Sequence, residues 1–193
     1  MFLKTTAVLA SAILALPTLA LAAAPPKTPP KVAPKPAPAK AAPAKPGPAT
    51  ESDFDARDPA TLIALLNAAG AKAAVAEKEP DTVFVAVTSA SVNFSMQFVE
   101  CNPQGRACKA VLFDNITDKA GPSPGQLNAF NQSSVMCRGY VDKFGKPHVV
   151  YSTLLFADDS RERILTQLAA WRRCVGAFRE FLKDPTAYLA TAP

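Results

Sequence analysis

Residues 82–114 constrain the fold of this chain more than any other stretch. Across Val92–Glu100 apolar residues alternate with polar ones, which is the pattern of a β-strand with one buried face. Thr82–Thr88 before it and Lys109–Asp114 after it predict two neighbouring strands. The chain should therefore contain an antiparallel sheet in which these strands are joined by turns.

The first 22 residues have the features of a secretory signal peptide. Lys4 precedes an apolar run, and Ala20-Leu21-Ala22 fits a small-x-small cleavage site before Ala23. An uncleaved membrane anchor is the alternative, although roughly 17 residues that include a proline are short for a membrane span. Both interpretations place the rest of the chain outside the cytoplasm, as a periplasmic or secreted protein.

Residues 23–52 are predicted to form a disordered linker rich in proline, alanine and lysine. Proline at every second or third position prevents both helix formation and strand pairing. The net charge of +5 also originates here, because six of the 21 Lys and Arg residues precede residue 51 and none of the 16 Asp and Glu residues does. The remainder is nearly neutral, which argues against a nucleic-acid partner. The lysines could contact anionic envelope components weakly, and a plain spacer is the simpler interpretation.

An exported chain with four cysteines is expected to contain two disulfides, for which three connectivities exist. We favour Cys101–Cys108, because the Asn-Pro and Gln-Gly pairs between them should form a turn. By elimination, Cys137 would then pair with Cys174. A redox-active pair and a zinc site are both disfavoured, because Cys-x-x-Cys spacing and neighbouring histidines are absent from the sequence.

Two helices should flank the predicted strands. Asp58-Pro59 begins the first, since Asp is a good N-cap and Pro suits the first helical position, and Gly70 ends it. The second should begin at Ser123 or Gly125 and extend to about Met136.

A third helix carries the clearest helical pattern in the chain. Asp159-x-x-Glu162 predicts a capping box at its start, and Asp184-Pro185 predicts its end. Its apolar positions step by three and four residues, which makes a stripe wide enough to cover one face of a sheet. The stripe consists of Ile164, Leu168, Trp171, Val175, Phe178 and Leu182.

The predicted domain spans residues 53–187, followed by a tail at 188–193. Its order is helix, four strands, helix, two strands, helix. This order favours an α+β fold in which an antiparallel sheet carries three helices layered on one face. The remaining predicted strands are Lys72–Lys78, Arg138–Lys143 and His148–Phe156.

Several local motifs occur along this order of elements. They are Asn93-Phe94, the Cys101…Cys108 hairpin, Asn128-x-Phe130-Asn131, Arg138-Gly-Tyr-Val-Asp142, and Trp171 with Phe178 and Phe181. Together with the order of elements, these motifs resemble the YbjN family, bacterial proteins named as sensory transduction regulators. The resemblance covers about Asp58–Leu182 and implies a fold like that of type III secretion chaperones. It implies no established reaction, cofactor or catalytic residue.

We predict no catalytic, cofactor-binding or metal-binding residue. His148 is the only histidine, and no Gly-x-Ser-x-Gly nucleophile motif or glycine-rich phosphate loop occurs in the sequence. We therefore interpret His148 as an ordinary surface or strand histidine. An enzyme that combines surface serines, His148 and acids without a recognisable motif is the alternative.

Some residues are candidates for binding a partner. Arg172 and Arg179 lie two turns apart on the last helix, either as a solvated edge or as a cationic rim for a partner's carboxylates. Asn128 and Asn131 could cap strand backbone or hydrogen-bond a bound segment. The strand at 82–88 is apolar on both sides, so either Val83, Val85 and Val87 or Phe84 and Ala86 must lie on an uncovered face. Phe84 and Val85, one from each set, are therefore candidate partner-binding residues.

These features favour a non-enzymatic, periplasmic protein-interaction or regulatory module, with a protein partner or a second copy of the chain on the uncovered face. Chaperone-like client capture is implied by the family resemblance alone. A protein that associates structurally with the cell envelope through its Lys/Pro tail is a further alternative.

Overall fold

The computed structural model describes residues 54–119 and 121–192. The predicted signal peptide at 1–22 and the linker at 23–52 lie outside these residues. Among the helices within them, none has the length and apolar character needed to cross a membrane.

Six strands in the described residues form one antiparallel sheet, in the order β1-β2-β3-β4-β6-β5. The predicted α+β class and antiparallel sheet are confirmed. The strands are β1 (Lys72–Lys78), β2 (Val83–Thr88), β3 (Phe94–Val99), β4 (Ala110–Ile116), β5 (Arg138–Val141) and β6 (Pro147–Leu154). The helices are α1 (Pro59–Ala68), α2 (Pro124–Ser133), α3 (Arg161–Lys183) and α4 (Pro185–Thr191).

The predicted number of three helices is wrong, because a fourth helix follows the third. Asp184 ends α3, and its carboxylate accepts a hydrogen bond from the amide of Ala187, so it is the N-cap of α4. Pro185 occupies the first helical position, where a missing N–H costs nothing. Tyr188 of α4 packs against Phe130 and Phe181, with ring centroids 6.0 and 5.7 Å away. The segment predicted as a tail therefore contributes to the core.

The start of α3 also differs from the prediction. Ser160, not Asp159, is the N-cap, and its side chain accepts a hydrogen bond from the amide of Arg163. The carboxylate of Asp159 instead accepts from the amide of Phe156 at 2.8 Å and pairs with Arg163 at 2.9 Å. At α2, Ser123 is the N-cap, with a full capping box to Gln126.

The helices pack on one face of the sheet, here called the helix face. The indole of Trp171 is 1% exposed and lies 5.8 Å from the ring of Phe113 and 5.7 Å from that of Phe94, centroid to centroid. The helix face comprises Val83, Val85, Val87, Phe94, Met96, Phe98, Val111, Phe113, Val149 and Tyr151.

Both predicted disulfides are confirmed. Cys101–Cys108 closes the loop between β3 and β4, and the Cα atoms of the two cysteines are 3.8 Å apart. Cys137–Cys174 joins the residue before β5 to the middle of α3. The second bridge spans 37 positions in sequence and connects the sheet to the helix layer.

Candidate functional site: the open face of the sheet

The opposite side of the sheet, here called the open face, carries no helix among the described residues. Strand register assembles it from the alternate positions of β2, β3, β4 and β6. Most of its side chains are half-buried or exposed, whereas most of those on the helix face are buried. The open face comprises Phe84, Ala86, Ser95, Gln97, Ala110, Leu112, Asp114, Ile116, His148, Val150, Ser152 and Leu154.

Apolar side chains cross the open face among small polar ones. Phe84 pairs with Gln97, and Leu112 pairs with both Gln97 and Ser152, so these residues form one row across four strands. At the ends of β6 and β4, Leu154 is 60% exposed and Ile116 is 48% exposed. An uncovered apolar surface with polar neighbours is typical of a contact surface.

The register decides between the two predicted sets of β2 residues. Val83, Val85 and Val87 are buried on the helix face, and Phe84 and Ala86 lie on the open face. The prediction of Val85 as a partner-binding residue is therefore wrong. Val85 is 0% exposed, because it pairs with buried Met96 beneath the helix layer.

A cluster of titratable side chains lies at the β5 end of the sheet, around the only histidine. The Nδ1 atom of His148 lies 2.9 Å from Oδ1 of Asp114. The ring of Tyr140 stacks on the imidazole, with centroids 4.5 Å apart. On the other edge of the imidazole, Nε2 lies 3.5 Å from Oδ2 of Asp142. His148 is only 9% exposed, so of the two predicted settings it is a buried strand histidine and not a surface one.

The cluster perturbs the ionisation of its neighbours. Burial raises the pKa of Tyr140, and the adjacent carboxylate of Asp114 adds to this shift. The pKa of Asp142 is lowered, chiefly by the hydrogen bond from the amide of Lys146. The two carboxylates contact opposite edges of the imidazole, so they do not converge on a point where a metal could bind. No group of metal-ligating side chains occurs elsewhere in the part of the chain described.

Sequence reasoning missed this cluster because its members come from three strands and a turn. One part of the cluster could have been predicted from the sequence. A turn centred on Phe144-Gly145 places Tyr140 opposite His148, and these two residues are cross-strand partners in the structure. The sequence could not show that Asp114 belongs to this cluster. Asp114 is on β4, which pairs with β6 although α2 and β5 lie between these two strands along the chain.

Asn131 caps the edge of the sheet at β5. Its side-chain amide donates to the carbonyl of Gly139 at 3.0 Å, and its carbonyl accepts from the Gly139 amide at 2.7 Å. Asn67 of α1 makes the same pair of hydrogen bonds with Ala73 of β1, the other edge strand. Each edge therefore has a backbone pairing site occupied by an asparagine. Of the two predicted roles for Asn131, capping of strand backbone is the one present.

Replacing Asn131 with alanine should lower the free energy of unfolding by about 1–3 kcal/mol, because it leaves the N–H and C=O of Gly139 without partners. It should also expose a strand edge and promote aggregation. Asn128→Ala is the matched control, because Asn128 is exposed one turn earlier on α2 and its loss should cost less than about 0.5 kcal/mol. Urea unfolding of both variants measures the difference, and equal effects would contradict the capping role.

The predicted partner-binding residues do not form one site. Phe84 lies on the open face, whereas Arg172 and Arg179 belong to α3 on the helix side of the sheet. Arg179 donates a hydrogen bond to the carbonyl of Ser91 at 3.2 Å, in the turn between β2 and β3.

Comparisons of the chain with models of known protein families, with curated proteins and with solved structures found no match.

Proposed function

We propose that this chain is a non-enzymatic protein-interaction module of the YbjN type, which binds another polypeptide through the open face. The observation that carries the proposal is the uncovered row that contains Phe84 and Leu112, together with exposed Leu154 and Ile116 at the ends of β6 and β4. Burial of apolar surface contributes about 25 cal/mol per Å², so contact with apolar side chains of a partner would be favourable. The near-neutral domain favours apolar over charged recognition.

The edges of the sheet favour a partner that binds to the open face over one that pairs with an edge strand. A partner strand would need the unpaired backbone groups of β1 or β5. Asn67 and Asn131 occupy such groups at Ala73 and Gly139, and the register of β1 shifts between Val75 and Glu77. Capped and irregular edges oppose strand addition. The open face is therefore the better surface for a partner.

The proposed partner is either a second copy of the chain or an extended client segment. The antiparallel sheet with its helix layer on one side is compatible with a type III secretion chaperone-like fold, and that likeness is part of the proposal. In such a module, the apolar residues of the open face would contact apolar side chains of the bound chain. Mass measured in solution distinguishes a dimer from a monomer that captures clients.

The proposed compartment is the periplasm or the cell exterior. Two disulfides fit an oxidising environment outside the cytoplasm. We expect sequencing of the mature N-terminus to begin at Ala23, because Ala20-Leu21-Ala22 precedes it. Recovery of intact Met1 from a cytosolic fraction would contradict both the cleavage site and the compartment.

Replacing Phe84 with lysine should weaken association by at least about tenfold, because a partner would have to desolvate the ammonium group. Leu154→Lys should act in the same way with less risk to folding, since Leu154 is already 60% exposed. Light scattering measures self-association, and crosslinking in the envelope measures capture of other chains.

Leu165→Lys is the matched control, because Leu165 is 47% exposed on α3 and lies away from the open face. It should leave association unchanged. If folded Phe84 and Leu154 variants keep the mass and the crosslinked partners of the wild type, the open face is not the binding surface.

A further inference from the structure

A small groove lies on the helix side of the sheet, away from the open face. It forms where the end of α1, the turn between β2 and β3, and α3 meet. Its volume is about 190 Å³. The aromatic rings of Phe94 and Trp171 line it together with Leu66 and Leu168, and Arg172 lies beside them.

The size of the groove suits one small apolar group. A cavity of about 150 Å³ lined by aliphatic and aromatic side chains holds benzene, whereas pockets for drug-sized ligands start at about 300 Å³. A volume of about 190 Å³ therefore suits a single ring or a branched alkyl chain. Phe94 is half-buried and supplies aromatic surface for such a group, whereas Trp171 borders the groove with only 1% of its surface exposed.

The charge of the groove favours an anion. Arg172 is exposed and has no carboxylate partner among the described residues, and no acidic residue lines the groove. Arg179, two turns further along α3, holds the carbonyl of Ser91 in the adjoining turn. A guanidinium presents paired N–H donors that match the two oxygens of a carboxylate.

We propose that this groove binds a small carboxylic acid, with its apolar part against Phe94 and its carboxylate beside Arg172. The inference is independent of the function proposed for the open face, because the two surfaces lie on opposite sides of the sheet. An uncharged analogue of the same size should bind less tightly, since only the carboxylate uses the guanidinium.

Trp171 is the only tryptophan of the chain, so its fluorescence reports directly on the groove. We expect phenylacetate or isovalerate to change this fluorescence saturably. Phenylacetamide, which lacks the charge, should bind about three- to tenfold more weakly than phenylacetate at low salt. Arg172→Gln should weaken phenylacetate binding by a similar factor. Arg173→Gln is the matched control and should leave binding unchanged, because Arg173 is exposed and does not line the groove.

A second variant tests the apolar part of the site. Ala69 lines the groove at the exposed end of α1, and its backbone is compatible with a larger residue. Ala69→Leu should fill the groove and abolish binding, with the thermal midpoint and the disulfides unchanged. This variant should leave association through the open face intact, which separates failure of this inference from failure of the proposed function.

Three results would overturn the inference. The first is no saturable change with either acid, and the second is equal binding of phenylacetate and phenylacetamide. The third is a peptide ending in phenylalanine that binds at least about tenfold more tightly than phenylacetate, which would identify a peptide C-terminus rather than a free acid as the occupant. Loss of that peptide binding in Ala69→Leu would then locate the peptide in the same groove.

Discussion

Replacing Trp171 with alanine should lower the free energy of unfolding by about 3–5 kcal/mol, the range found for large-to-small substitutions in protein cores. The indole is 1% exposed, stacks on Phe113 and contacts the edge of Phe94, so its removal leaves a cavity between α3 and the helix face. Because a domain of this size is stabilised by only about 5–15 kcal/mol, the loss is a large fraction of the total.

Urea unfolding followed by circular dichroism measures the effect, since the variant has no tryptophan left to report fluorescence. Leu165→Ala is the matched control, because Leu165 is on the same helix and 47% exposed. It should cost less than about 1 kcal/mol. A loss below about 1 kcal/mol for Trp171→Ala would show that the indole is not the centre of the helix–sheet contact.

Removing the Cys137–Cys174 disulfide by a double alanine substitution should destabilise the domain by about 4 kcal/mol on the chain-entropy model. The bridge spans 37 positions, so it removes more freedom from the unfolded chain than the bridge between Cys101 and Cys108, which spans 7. The same model assigns about 2.5 kcal/mol to the shorter loop. Cys174 is fully buried, so its substitution also removes packing atoms.

The double variant of Cys101 and Cys108 is the control for this experiment. Urea midpoints of both double variants, compared with the wild type, give the order of the two effects. Non-reducing peptide mapping of the wild type checks the linkages themselves. This account would be contradicted if the Cys101/Cys108 variant were less stable than the Cys137/Cys174 variant. Recovery of a peptide that links Cys101 to Cys137 would also contradict it.

The order of the strands along the chain, and the starts of most helices, followed from local patterns in the sequence. Alternation over Val92–Glu100 predicted β3, and Asp58-Pro59 predicted the start of α1. The predictions that failed rested on residue patterns that are compatible with two different local structures. Asp184-Pro185 can end one helix or begin another, and the packing of Tyr188 on Phe130 and Phe181 is the tertiary contact that favours a second helix. At the start of α3, both Asp159 and Ser160 can act as caps.

The candidate sites depended more strongly on contacts between distant residues. The role of Asn131 could be recognised only once the position of Gly139 was known. A Cβ atom at Gly139 would lie 2.9 Å from the ring of Phe178, so glycine allows the helices to approach the strand. The groove beside Arg172 required the ends of three elements to meet. Neither arrangement has a periodic signal in the sequence.

The sequence by itself determined the strands, three of the helices and the favoured disulfide pairing, because side-chain period, capping chemistry and turn residues act over a few positions. Only the tertiary structure decided that Phe84 faces outward and Val85 inward. A strand that is apolar on both sides has no preferred face until helices pack on one of them. The same holds for His148, which meets Asp114 only because β4 pairs with β6. Local chemistry specified the elements, and long-range packing selected their faces and neighbours.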